Sequence, residues 1–240
     1  MPVLQSSSNF GKLRSTRFHS GVDFRTGGVE GKRVLAVEDG QIYRIGVKPY
    51  GYGNVVYVAH PDGNISVYGH LSKFTPEVEA YVRSERYRQQ RNDIDLFPEA
   101  GRFPVKRGEV IGLSGNSGNS FGPHLHFETR YCGQSFDPER LIDFQSGNLR
   151  RETFLLKKSY LDIHSSASQD FEDEEAEAND EKRAEEARKA LASAQYHRIR
   201  SGDTLGGIAV RYGTTVSRLC QLNGISRTTT LRIGRSLRVR

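Results

Sequence analysis

Between residues 34 and 68, apolar and polar positions alternate in short runs set off by turn residues. Val34-Leu35-Ala36-Val37, then Asp39-Gly40, then Gln41-Ile42-Tyr43-Arg44-Ile45 reads as a β-hairpin, and Asn54 to Ala59, Asp62-Gly63 and Ile65 to Tyr68 reads as a second. Antiparallel sheet is the expected architecture. The pattern breaks at Thr75-Pro76-Glu77-Val78, where a capping residue precedes a proline at the first helical position, and Glu77 to Gln90 is strong helix-forming sequence. A helical insertion between two strands is expected there, over about residues 74 to 104. Residues 196 to 240 run Tyr196 to Ile199, the turn Ser201-Gly202-Asp203-Thr204, an amphipathic stretch to Tyr212, a second from Val216 to Leu222, Asn223-Gly224, and Ser236-Leu237-Arg238-Val239. That order predicts strand, helix, helix, strand. Between the two patterned parts, residues 164 to 195 hold eight alanines but only Phe171 and Leu191 as sizeable apolar groups. Such a stretch builds no core of its own. It reads as a solvated, partly helical spacer with Glu185 and Lys189 as an i,i+4 pair, and a short coiled coil is the weaker option because no a/d stripe is sustained.

Charge supports the same division. Residues 1 to 163 carry 22 Lys and Arg against 18 Asp and Glu, residues 164 to 195 carry 4 against 10, and residues 196 to 240 carry 9 against 1. The 240 residues leave room for one large domain or two unequal ones. The expected organisation is a domain over 1–150, an extension and acidic linker over 151–195, and a small domain over 196–240. No window holds the roughly 20 apolar residues a membrane span needs, and residues 1 to 30 lack the apolar core of a secretory signal. The nine arginines of the last segment raise a nucleic-acid reading, which ranks low because no interleaved aromatic stacking platform accompanies them. Cys132 and Cys220 form no CxxC unit, so a metal here has to be held by histidine and carboxylate.

The candidate chemistry lies in the histidines. His19-Ser20-Gly21-Val22-Asp23 sets an imidazole and a carboxylate four residues apart, and Pro123-His124-Leu125-His126-Phe127 sets two imidazoles at i and i+2 in a strand-like run, where both project to one side. A catalytic zinc site wants three N/O ligands and one open position. His19, Asp23 and one histidine of the second pair supply that and leave a spare imidazole beside the metal; a further one, His70, ends a predicted strand in Tyr68-Gly69-His70-Leu71. The glycine-rich run Gly112 to Gly122 lacks the GK[ST] of a phosphate loop and is expected to turn the backbone tightly near the site. Glu128 divides between a partner of the site and an exposed strand residue, and His60 reads as a surface or supporting residue beside a turn.

These elements, with Asn9-Phe10-Gly11-Lys12-Leu13-Arg14, Gly112 to Gly115 and Gly122-Pro123-His124-Leu125-His126-Phe127-Glu128, resemble in order the core of the lysostaphin/LytM-type zinc peptidoglycan endopeptidases. The resemblance implies a mainly antiparallel β peptidase domain with a β-sheet groove and one zinc ion on His19, Asp23 and His126. It makes His70 and His124 the catalytic pair without deciding which is the general base. The insertion at about 74–104 departs from the common pattern; it either selects substrate or is a solvated basic helix.

Residues 196 to 240 resemble a LysM domain, a small α+β (βααβ) fold, through Ser201-Gly202-Asp203-Thr204-Leu205, Tyr212-Gly213, Asn223-Gly224 and Leu231 to Leu237. That implies recognition of N-acetylglucosamine-containing glycan around Gly202, Asp203, Thr204, Asn223 and Ile225, although Asp203 or Thr204 also serves as a plain helix cap. The expected function is a zinc-dependent endopeptidase that hydrolyses peptide crosslinks of peptidoglycan. Its partners are then the peptide stems and the glycan, with no nucleic acid and no membrane span, and it acts as a monomer. The alternative is a non-catalytic wall-binding protein or an activator of other wall hydrolases. A periplasmic, envelope or secreted location follows, and with no signal in these residues the chain is expected to be part of a longer one.

Overall fold

The computed structural model describes residues 5–14, 18–150, 155–157, 160, 182–189, 192–193, 195–223 and 225–240. The first part is mainly antiparallel β, interrupted by one α-helix. Its strands are β1 (Ser6–Ser8), β2 (Val22–Arg25), β3 (Arg33–Leu35), β4 (Gly40–Val47), β5 (Asn54–Ala59), β6 (Asn64–Gly69) and β7 (Leu71–Phe74), then helix α1 (Pro76–Gln89), then β8 (Ile94–Leu96), β9 (Phe103–Val105), β10 (Val110–Ser114), β11 (His124–Tyr131) and β12 (Gln134–Phe136), with a small pair β13 (Ile142–Asp143) and β14 (Asn148–Leu149) after them. The main sheet has the order β1-β2-β11-β6-β5-β4-β8, with β9 also pairing β4 and β12 pairing β11, and a second sheet has the order β3-β10-β7.

Every residue of β4 is buried, so the main sheet is covered on both faces. Alternation along β5 shows how: Val56 and Val58 join one apolar cluster with Val22, Phe24, Ile111 and Phe127, while Val55, Tyr57 and Ala59 join another with Tyr43, Tyr52, Ile65 and Val67. The site grows from the second face where β2 pairs β11, because Phe127 of β11 packs into the first cluster and turns His126 and Glu128 to the other side.

The second expected hairpin forms, β5 against β6 around Asp62-Gly63. The first does not: Val34-Leu35 pairs with β10 in the second sheet, while β4 pairs with β5. The Asp39-Gly40 turn therefore carries the chain from one sheet to the other. Hydrophobic runs on either side of a DG dipeptide fit a hairpin equally well, and the partner β10 lies more than seventy residues further on, beyond the reach of a local pattern. The helix is as expected, with Thr75 as N-cap accepting from the Val78 N–H, Pro76 in the first turn and Gln90 closing it in the left-handed region.

Residues 182–189 are helical, and Glu185 pairs with Lys189 at 3.5 Å and Arg188 at 2.7 Å. This part of the spacer is not fully solvated, contrary to expectation: Ala184 and Ala187 are buried in the cluster of Tyr43 and Tyr57. Alanine, too small to form a core, is well suited to letting a helix lie close on a sheet. The rest of the spacer lies outside the described residues.

The last part folds as β15 (Tyr196–Arg198), α2 (Leu205–Arg211), α3 (Val216–Asn223) and β16 (Ser236–Arg238), around a cluster of Ile199, Ile208, Leu219 and Leu237. It rests on the tip of the insertion. Glu99, between β8 and β9, accepts from Arg218 Nη1 at 2.7 Å and Gln221 Nε2 at 2.6 Å, and the Arg238 guanidinium fills the space where a Cβ on Gly101 would stand. Arg183 of the spacer helix stacks 3.7 Å over the Phe97 ring of the same tip.

Candidate metal centre and catalytic histidines

Gly21 lets the His19 to Asp23 segment close on β11, since a Cβ there would stand 2.3 Å from the Phe127 carbonyl oxygen. The β2-β11 register then sets Asp23 opposite His126 and Arg25 opposite His124. Asp23 Oδ1 lies 3.1 Å from His19 Nε2 and 2.9 Å from His126 Nδ1, and the two ring nitrogens are 3.1 Å apart. All three residues are buried. A tetrahedral zinc with ligands at about 2.0–2.1 Å separates its donors by roughly 3.3 Å, which this triangle approaches.

The far side of each ring fixes which nitrogen faces the cluster. His19 Nδ1 sits 3.0 Å from the Asn9 carbonyl oxygen, which only accepts, so Nδ1 carries the hydrogen and Nε2 presents its lone pair. His126 Nε2 donates to Glu128 Oε1 at 2.8 Å, leaving Nδ1 for a metal. Asp23 Oδ2 is held by Arg14 at 2.7 Å, which frees Oδ1. Two imidazoles and a carboxylate, each oriented from behind, fit a zinc ion.

His124 and His70 stand beside this triangle. His124 Nε2 is 3.5 Å from Asp23 Oδ1, and the His70 ring is centred 4.6 Å from that of His124 and 5.8 Å from that of His126. The His124 Nδ1–H is donated to the Gly122 carbonyl at 2.8 Å and the His70 Nδ1–H to the Ser117 carbonyl at 2.8 Å, so both present an Nε2 lone pair. The Ser117 carbonyl reaches His70 because Gly118 and Gly53, both with positive φ, pack backbone on backbone; a Cβ on either would lie within 2.5 Å of the other loop. His70 itself has φ 59, a strained conformation for a histidine, held by its N–H on the Tyr52 carbonyl at 2.8 Å. The five site residues from the sequence thus converge.

Behind His126 lies a group that sequence reasoning left undecided. Glu128 is fully buried and accepts from Arg130 Nε at 2.7 Å and from the hydroxyls of Ser20 and Tyr52. The period of the strand held the signal, since residues 124, 126, 128 and 130 share one face. His60 is also buried, bonded to Ser66 Oγ at 2.7 Å and the Asp39 carbonyl at 2.9 Å, where it ties the sheet.

Charge follows from these contacts. Burial favours neutral Asp23, but the imidazoles of His124, His126 and His19 gathered around it outweigh it and hold the carboxyl far below its ordinary range. Burial favours neutral His126, yet the carboxylates of Asp23 and Glu128 on either side raise it to about 9. Desolvation lowers His19, and desolvation with the neighbouring imidazoles pushes His70 down to about 3, so both are neutral at pH 7. The metal-free site at pH 7 therefore carries a proton on His126 Nδ1 that a metal must displace. Zinc uptake at pH 7 is expected to release about one proton per ion, falling towards zero as pH rises through about 9. Calorimetry in buffers of different ionisation enthalpy measures this.

In the last part, Thr204 caps α2 by accepting from the Gly207 N–H, Asp203 binds His197 Nε2 at 2.6 Å, and Asn223 spans to the Arg238 backbone at 2.8 Å. Gly202 has φ 84 in the turn, and Ile225 packs on the small core. Each of these residues has a structural duty of its own.

Residues 17–86 and 100–138 match Peptidase family M23, and residues 197–240 match the LysM domain, in agreement with both resemblances. The chain is 36% identical over 126 residues to the DD-carboxypeptidase/endopeptidase Mpg of Neisseria meningitidis serogroup B, which covers 52% of this chain and 23% of the relative. It is 31% identical over 124 residues to the murein hydrolase activator NlpD of Escherichia coli, covering 52% and 26%. This chain thus spans about a quarter of each relative's length. Among solved structures, the catalytic domain of lysostaphin from Staphylococcus simulans is 27% identical with a TM-score of 0.42, over 57% of this chain and 90% of that one.

Proposed function

We propose, from the premise of an M23 peptidase region joined to a LysM domain, that this chain is a zinc-dependent endopeptidase. It hydrolyses peptide crosslinks of bacterial peptidoglycan in the cell envelope or outside the cell, with the domain at 196–240 holding the glycan through Gly202, Asp203, Thr204, Asn223 and Ile225. The observation that carries the reading is the convergence of His19, Asp23 and His126 on one point, with His70 and His124 beside it.

His19 Nε2, Asp23 Oδ1 and His126 Nδ1 would hold the ion. When bound, zinc polarises the scissile carbonyl and brings the pKa of water towards neutrality. The chain's own residues then handle protons. His124 Nε2 and His70 Nε2 are both acceptors, because each Nδ1–H is committed to a carbonyl. One of them takes the proton of the attacking water and returns it to the leaving amine; the protonated ring is also a donor to the oxyanion. Tethering to glycan raises the local concentration of crosslinks.

The second reading, a non-catalytic activator of wall hydrolases, is favoured by the relatives named murein hydrolase activators. Zinc content and cleavage of purified peptidoglycan decide between them. About one zinc per chain and conversion of crosslinked muropeptide dimers to monomers are expected, with His124→Ala retaining zinc while its rate falls about 10²–10⁴-fold. Wall binding without zinc or cleavage supports the activator.

A further inference from the structure

Arg25 takes no part in the metal triangle, yet the strand that presents Asp23 presents it too. Successive strand side chains alternate between faces, so Asp23 and Arg25 share one, and the register sets Arg25 opposite His124. Directly opposed residues of an antiparallel pair have Cβ atoms about 4.5–5.5 Å apart. Arg25 thus stands one strand step out from the metal ligands, beside an imidazole of the catalytic pair. Both belong to a cleft of about 1170 Å³, whose walls also include Lys12, Arg14 and Phe121.

The charge of this cleft is one-sided. Among the described residues Asp23 is its one acidic lining residue, with Oδ1 turned to the histidines and Oδ2 taken by Arg14. Arg25 and Lys12 are exposed, and among the described residues neither has an acidic partner. A guanidinium lining a cleft without a carboxylate of its own suits one brought by the substrate, which it binds through two parallel hydrogen bonds.

We propose that Arg25, supported by Lys12, is a specificity-determining residue that binds a free carboxylate on the substrate residue flanking the scissile amide. The favoured substrates are then crosslinks between residues that bear such a carboxylate, and an uncharged bridge made of glycine alone is disfavoured. This rests on the endopeptidase reading for the bond cut, while the binding preference stands separately.

The test uses two synthetic crosslinked peptides that differ in one group, a carboxylate or a carboxamide on the residue next to the amide. Dissociation constants and kcat/KM are measured for both on the zinc-loaded full chain, as wild type, Arg25→Gln and Lys12→Gln. The wild type is expected to prefer the carboxylate peptide by about 10- to 100-fold, the range of a charge-assisted hydrogen-bond pair. Arg25→Gln brings the ratio towards one, mostly through KM, and Lys12→Gln lowers it less. A wild-type ratio near one, or a ratio unchanged in Arg25→Gln, overturns the proposal. If neither peptide is cut, the endopeptidase reading fails and the ratio of dissociation constants still decides the carboxylate site. Lys12, exposed on a loop, gives an independent variant should Arg25→Gln not fold.

Discussion

Replacing His126 by alanine is expected to abolish both zinc retention and cleavage. Its Nδ1 is one of three ligand atoms around a single point, and its Nε2 donates the hydrogen that Glu128 accepts. Loss of an outer partner alone typically costs a metal site about 10–100-fold in affinity, so loss of the ligand itself should exceed that range. Metal analysis after gel filtration, with muropeptide analysis of digested peptidoglycan, reads both effects. A variant that keeps stoichiometric zinc would remove His126 from the ligand set. His124→Ala supplies the contrast, losing rate and keeping the ion, because its Nδ1 is committed to the Gly122 carbonyl and its Nε2 lies outside the triangle of closest donors.

The second large effect is on stability. Glu128→Ala leaves the buried Arg130 and His126 without the carboxylate between them. Removing one partner of a buried ion pair costs about 3–5 kcal/mol, since the other charge stays desolvated and uncompensated. Burial alone would raise the Glu128 carboxyl, and it nevertheless lies well below the usual range because Arg130 and His126 outweigh desolvation. The stabilisation from a carboxyl so depressed is present above its unfolded pKa of about 4.3 and is lost as pH falls through the folded value. Urea unfolding at pH 7 is expected to show the loss in Glu128→Ala, with the gap to wild type narrowing in acid. An unchanged midpoint would mean that Arg130 finds another partner, such as Tyr52, whose hydroxyl already lies 3.0 Å from its Nη2.

The site was more legible than the frame around it. His19 and Asp23, and the pair His124 and His126, are set by spacings of four and two residues, and strand alternation carries those spacings directly into space. The βααβ order at 196–240 was legible for a similar reason, because caps and apolar periods are local. Two features were not. Val34-Leu35 pairs with a strand more than seventy residues away, and no dipeptide records that choice. Glu128 and Arg130 look like the wet side of an alternating strand; only the placement of Tyr52 and Tyr57 over them makes that side dry.

The seat of the C-terminal part on the insertion bears on how such proteins can be recombined. Strands in a sheet lie about 4.8 Å apart, so the four steps from β11 through β6, β5 and β4 to β8 put the Glu99 tip roughly 20 Å from the metal ligands. The tip offers a carboxylate to Arg218 and Gln221 and a bare glycine to Arg238, features matched to a neighbour carrying those side chains. The small domain is therefore a keyed part and not an interchangeable bead: a homologous module grafted without its Arg218, Gln221 and Arg238 equivalents would lose this seat on the tip.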